Sequence, residues 1–155
     1  MNNFDRLLKF EKKDILPITI LSDSLILGDM YSAKSIRIEG KFEGNICSKN
    51  KIIIDDHASV KGDIIANEID ISGNVFGSIY CANKLILKNG ARVIGNIYTY
   101  KFKNEEGSFF DNQLNLFNKK KFNHIQLLLD ELIPSADLLQ STYLKKIKSY
   151  FKSEV

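Results

Sequence analysis

The sequence predicts a mainly β protein: a parallel β-solenoid of about five to six coils, preceded by a short tail and followed by an α-helical hairpin. Three observations carry this. The pattern apolar-x-Gly-x-apolar occurs five times, and its glycines (Gly28, Gly44, Gly62, Gly77, Gly95) step by 16, 18, 15 and 18 residues. Within each copy apolar and polar residues alternate, the period of a strand with one buried face. After Phe102 the alternation gives way to apolar residues at helical spacing.

Length and charge narrow the function. A chain of 155 residues holds one domain with appendages. A net charge of +3 does not call for a nucleic-acid partner. No apolar run reaches the ~20 residues of a membrane span, and the opening MNNFDRLLKFEKKD is too charged for a signal-peptide core. Two cysteines, Cys47 and Cys81, fall short of a disulfide framework, so the expected setting is the reduced cytoplasm.

Residues 1–17 form the tail. Its FDRLLKFEKK places Phe4, Leu7 and Leu8 on one helical face between basic residues, a candidate membrane contact that gains strength if a polymer repeats it. The alternative is a disordered tail.

Residues 18–102 form the solenoid. Two residues after each copy's second apolar position stands a small side chain: Ser32, Ser48, Ala66, Cys81 and Thr99. Then comes a second alternating pair: Ile36 and Ile38, Ile52 and Ile54, Ile69 and Ile71, Leu85 and Leu87. The next glycine follows after 6, 8, 6 and 8 residues, through short turns (EGK, SGN) and long ones (DDHAS, KNGAR) by alternation. A period this short has no room for a helix, and it fits one coil of a solenoid whose equivalent residues stack into internal ladders. At ~4.8 Å per coil the rod is about 25–30 Å long. The small ladder marks a tight corner. Gly44 and its equivalents stand between inward residues, so their missing side chains would point outward, and a bend accounts for them. A phosphate loop does not, since neither glycine fingerprint is present.

Residues 103–155 are a polar linker, KNEEGSFFDNQ, and two amphipathic helices. Phe122, Ile125, Leu129 and Leu132 make one stripe, ended by Pro134; Ser135 is an N-cap for a second stripe of Leu139, Tyr143, Ile147 and Tyr150. Lysines 119–121, 145, 146, 148 and 152 read as solvated faces, the last four also near a helix C-terminus that favours cations. The stripes pack on each other, on the solenoid or on a partner. Folded over the last coil, they would cap it.

No catalytic, cofactor or metal site is expected. His57 sits alone in the turn DDHAS, a poor metal-ligand spacing. Cys81 lies on the small ladder and points inward; Cys47 is one register off it and points outward, so the two do not pair. One enzyme reading remains as an alternative: left-handed β-helix acyltransferases also stack 18-residue coils with a turn histidine, but the coils of 15 and 16 residues here break that rule.

The segments ITILSDSLILGDMYS, IRIEGKFEGNI, VKGDIIANEIDISGNVFGSIYC and GARVIGNI, from Ile18 to about Thr99, resemble the bactofilin family of bacterial cytoskeletal proteins. The resemblance implies a single-stranded right-handed parallel β-helix that polymerises end to end without nucleotide. It also implies attachment to the inner face of the cytoplasmic membrane, often through a short N-terminal segment, and scaffolding of cell-wall or cell-shape factors. Two departures stand out. Family members often end in a flexible tail, where this chain continues into helices. They also tend to carry an aromatic residue in the last coil at the polymer contact, where this chain has Val93, with Phe102 the nearest aromatic.

Polymerisation also has a physical argument. The first and last coils of a solenoid expose unpaired edges, which must be capped or used. The expected self-association residues are Ile18, Ile20 and Leu25 at one end and Val93, Ile97 and Phe102 at the other. The main expectation is a non-enzymatic scaffold that binds itself; the alternative is a capped adaptor that uses its helices to bind a partner.

Overall fold

The computed structural model describes residues 17–132 and 141–153. Its strands are β1 (Ile18–Ile20), β2 (Leu25–Leu27), β3 (Met30–Ser32), β4 (Ile36–Ile38), β5 (Lys41–Glu43), β6 (Ile46–Ile54) and β7 (Ser59–Lys61). They continue as β8 (Ile64–Ile71), β9 (Asn74–Phe76), β10 (Ile79–Leu87), β11 (Arg92–Ile94), β12 (Ile97–Asn104), β13 (Phe109–Asp111) and β14 (Leu114–Leu116). Two helices follow, α1 (Lys119–Leu132) and α2 (Ser141–Lys152).

The strands wind as a parallel β-solenoid. One eight-stranded sheet runs β1-β4-β6-β8-β10-β12-β14, with β3 also on β6, and a six-stranded sheet runs β13-β11-β9-β7-β5-β2. Every pairing is parallel, and equivalent residues register. Ile18, Ile36, Ile52, Ile69, Leu85 and Phe102 make one internal ladder. Ile26, Phe42, Val60, Val75, Val93 and Phe110 make another, and Met30, Ile46, Ile64, Ile79, Ile97 and Leu114 a third. Their middle members are fully buried in one core.

The small ladder is the corner. The long strands shift register between Ser48 and Lys51 and between Cys81 and Lys84, where the chain turns. Ser48 Oγ donates to the Lys34 carbonyl of the preceding coil at 2.8 Å and accepts from the Asn50 amide at 3.0 Å. The Cys81 thiol donates to the Asn67 carbonyl at 3.4 Å. These short side chains satisfy backbone groups that the corner takes out of the ladder.

The glycines do more than bend the chain. A Cβ on Gly62 (φ +143°) would stand 1.9 Å from the Gly44 carbonyl oxygen, and one on Gly44 (φ +144°) would stand 2.0 Å from that of Gly28. The missing side chain faces the coil beneath it rather than solvent, so close stacking and a left-handed φ both require glycine. The residue after each glycine ties successive coils: Asp29 Oδ1 accepts from the Asn45 amide (2.8 Å), Asn45 Oδ1 from Asp63 (3.1 Å) and Asp63 Oδ1 from Ser78 (2.9 Å).

The solenoid is one coil longer than the spacing of glycines indicates. The expected boundary at 102 and the linker KNEEGSFFDNQ are corrected: β13 pairs with β11 and β14 with β12, so the solenoid ends at Leu116. Asn112 stands where the other coils have glycine and has a φ of +95°, the one non-glycine residue at positive φ among those described. Asn tolerates this region better than most residues. Phe110-x-Asn112-x-Leu114 is therefore the sixth repeat.

Both helices lie against the side of the rod. Gln126 Nε2 donates to Asn67 Oδ1 at 2.6 Å and Lys148 Nζ to Asp63 Oδ2 at 2.6 Å, while Asp130 lies 3.9 Å from Lys49. From the end of β14, α1 thus runs back past β8 towards β6. Of the packings left open by the sequence, the described residues show the helices against each other and the side of the solenoid, and none of them folds over the last coil.

Candidate functional site

The two ends are open edges. At the first, β1 and β2 have no strand before them among the described residues. Ile18, Leu25 and Ile26 are 38%, 56% and 37% exposed, with Leu21 and Leu27 also exposed, whereas Ile20 is buried. At the other, β13 and β14 have no strand after them among the described residues. Phe109 and Leu116 are 50% and 60% exposed, and Phe110, Leu114 and Phe102 are half-buried. Phe102 and Phe110 meet edge-to-face at 5.4 Å. Apolar ladders that are closed in mid-rod therefore end unfinished at both tips.

Three expected contact residues are corrected: Ile20, which is buried at its own tip, and Val93 and Ile97. Val93 and Ile97 are fully buried, because Phe110 and Leu114 stack on them. Their places at the tip belong to Phe110 and Leu114, with Phe109 and Leu116 beside them. The aromatic residue expected in the last coil is thus present, one coil beyond Val93. Scanning for glycine hid it; allowing Asn in the glycine position would have found it.

The side of the rod carries a second core. Tyr31, Cys47, Ile65, Tyr80, Tyr98 and Asn115 form an outward ladder on the eight-stranded sheet. Ile125 and Leu129 of α1 and Leu144, Ile147 and Phe151 of α2 bury Cys47, Ile65, Tyr80 and Ala82. Tyr80 stacks on Tyr98 at 5.2 Å and takes Phe151 edge-on at 5.5 Å. Cys47 does point away from the rod's axis as expected, but the hairpin buries it; that burial pushes its thiol up to about 12, as full burial does for Cys81. Both thiols are free.

The helical stripes are partly as expected. Ile125, Leu129 and Ile147 are buried, and Phe122 is half-buried with its ring stacked 4.5 Å from Tyr100. On α2 the buried stripe is Leu144, Ile147 and Phe151; Tyr150 is only half-buried, near His124. Phe4, Leu7, Leu8, Ser135 and Leu139, and the side chains of Leu132 and Tyr143, lie outside the described residues.

Lys121 is not a solvated lysine. It is 8% exposed, and its Nζ donates to the carbonyls of Phe151, at 2.6 Å, and Ser153. It supplies donors and positive charge to the carbonyl end of α2, which the helix dipole favours. Burial pulls its amine below the ordinary value. Lys148 is likewise committed, to Asp63.

His57 is almost wholly exposed in its turn, 3.8 Å from the Asp56 carboxylate. Among the described residues no three His, Cys, Asp or Glu side chains converge as a metal site, and no helix is long and apolar enough to cross a membrane.

No curated protein and no solved structure matches the chain. A family model does, over residues 18–115, which is nearly the whole of the solenoid; its description is bactofilin, polymer-forming cytoskeletal. With six registered coils and the match spanning them, the chain belongs to the bactofilin family.

Proposed function

We propose that this chain is a non-enzymatic scaffold subunit that stacks end to end, without nucleotide, into a homopolymer. The observation that carries this is the pair of unfinished tips, where open strand edges coincide with exposed Ile18, Leu25, Phe109 and Leu116 and half-buried Phe110. Pairing an edge contributes ~1 kcal/mol per hydrogen bond, and closing the ladders ~25 cal/mol per Å² of apolar area. Neither term requires a cofactor. Like tips meeting gives a filament without polarity, and one adhesive tip alone gives a closed dimer.

The capped-adaptor reading is weakened by the hairpin's position on the side, which leaves β13 and β14 uncovered by any described element. In the scaffold reading the polymer works at the inner face of the cytoplasmic membrane, with Phe4, Leu7 and Leu8 as the lipid contact, and recruits cell-wall or cell-shape proteins. Electron microscopy and sedimentation of the full chain test the self-association. Nucleotide-free filaments are expected, and Phe110→Asp should shorten or abolish them. Monomer at high concentration, or Phe110→Asp filaments of unchanged length, would refute the reading. Co-sedimentation with anionic vesicles, lost on Leu7→Asp with Leu8→Asp, tests the membrane contact.

A further inference from the structure

We infer that the C-terminal hairpin is a lateral guard: it occupies an apolar side face that would otherwise join two copies of this solenoid side by side. Three observations support this beyond the end-to-end reading. First, the face is continuous. Tyr31, Cys47, Ile65, Tyr80 and Tyr98 occupy successive rungs, and Ala82 lies beside them. Five rungs at ~4.8 Å extend about 19 Å along the rod. Cys47, Ile65, Tyr80 and Ala82 are each 2% exposed or less where α1 and α2 pack on them. Bare apolar surface of this extent on a regular sheet is an association site.

Second, the face is self-complementary. Two such sheets pack about 10 Å apart when a two-fold axis relates them. An axis parallel to the rod exchanges left and right at constant height. Lys49 lies just past the ladder in β6, and Asp63 lies just before it at the start of β8, one rung along. That operation sets Lys49 of one copy across from the Asn45 edge of the same rung in the other, with that copy's Asp63 one rung along, about 4.8 Å away along the rod and within reach of a lysine side chain.

Third, the hairpin already meets both charges. Asp130 of α1 faces Lys49, and Lys148 of α2 holds Asp63. It thus presents the same pattern that a second solenoid would: an apolar centre, an acid towards Lys49 and a base towards Asp63. The hairpin competes with a second copy for the face, and growth is confined to the tips.

The two cysteines make this measurable in the full chain. Cys47 lies beneath the hairpin, and Cys81 lies inside the solenoid as an internal control. Ile125→Asp with Ile147→Asp should unseat the hairpin. Maleimide labelling of Cys47 should rise about tenfold or more while Cys81 stays unlabelled. A short bismaleimide should then join Cys47 to Cys47, and filaments or particles should double in width. Adding Ile65→Lys and Tyr80→Lys should restore single width. If the double variant also exposes Cys81, Phe151→Ala is the milder way to release the hairpin with the solenoid closed. Rapid labelling of Cys47 in the unaltered chain would overturn the inference. So would an unseated hairpin with no Cys47 cross-link and unchanged width. A monomeric unaltered chain would count against end-to-end stacking alone, because the cross-link reads the side contact separately.

Discussion

Ile64 and Ile65 are neighbours in the chain, both are essentially inaccessible, and they belong to different cores. Ile64 points into the solenoid, where its rung neighbours are Ile46 and Ile79. Ile65 points the other way, where its rung neighbours are Cys47 and Tyr80 and its cover is the hairpin. The inner core repeats because every coil must close on the same axis with the same volume. The outer core varies from rung to rung because it has only to match two helices with no repeat of their own. The inner core holds the rod together, and the outer one decides what the rod's side can touch.

The largest effect should come from the glycine ladder, where the inner core is least tolerant. Gly62→Ala places a methyl 1.9 Å from the Gly44 carbonyl oxygen, in backbone that side chains disfavour. A loss of more than about 3 kcal/mol is expected, with no native sheet signal in moderate urea. Gly28→Ala is the matched control: its φ is also positive, at +125°, but nothing lies within 4 Å of the added carbon. It should cost only about 1–2 kcal/mol. Equal losses at the two positions would mean that φ, and not stacking, makes the ladder glycine.

Next come matched deletions in the two cores. Ile69→Ala and Ile147→Ala each empty a fully buried site, and each should cost about 2–5 kcal/mol locally. They should differ in what opens. Ile69→Ala should lower the midpoint of the whole sheet transition. Ile147→Ala should leave that midpoint within about 0.5 kcal/mol and instead speed the labelling of Cys47. A joint shift of both readouts by Ile147→Ala would mean that the two cores unfold as one unit.

The same contrast explains what could be read from the chain alone. The coils were legible because Ile, Val and Leu recur at fixed steps around a glycine that no other residue replaces in mid-rod. The sixth coil was not, because Asn112, at a φ of +95°, takes the glycine's place there. Val93 and Ile97 consequently looked terminal. The hairpin's existence followed from helical spacing, but its seat did not. Tyr31, Cys47, Ile65 and Tyr80 fall on the face that alternation marks as solvent-facing, and only their apolar character hinted at a cover. Lys121 read as one lysine of a run because its partners, the carbonyls of Phe151 and Ser153, are some thirty residues away.

The smallest effect compares the two cores through their thiols. Each is held up to about 12 by burial, against an ordinary value of 9.0. Unfolding therefore releases a proton from each between these limits. The unfolded chain binds fewer protons there, so stability is fully present below pH 9 and falls as pH rises above it, by about 1.4 kcal/mol per unit for each thiol. Tyr31, raised by burial and then by Cys47, adds to the fall at higher pH, whereas Lys121, lowered by burial, opposes it. Between pH 9 and 10, where the unfolded thiol is only partly ionised, Cys81→Ala should remove about 1 kcal/mol from the loss measured on the sheet transition. Cys47→Ala should leave that slope alone and reduce only the alkaline rise in cleavage of the hairpin by an alkaline protease. If Cys47→Ala flattened the sheet transition as well, the outer core would be part of the solenoid's own cooperative unit, and the guard could not lift without the rod unwinding.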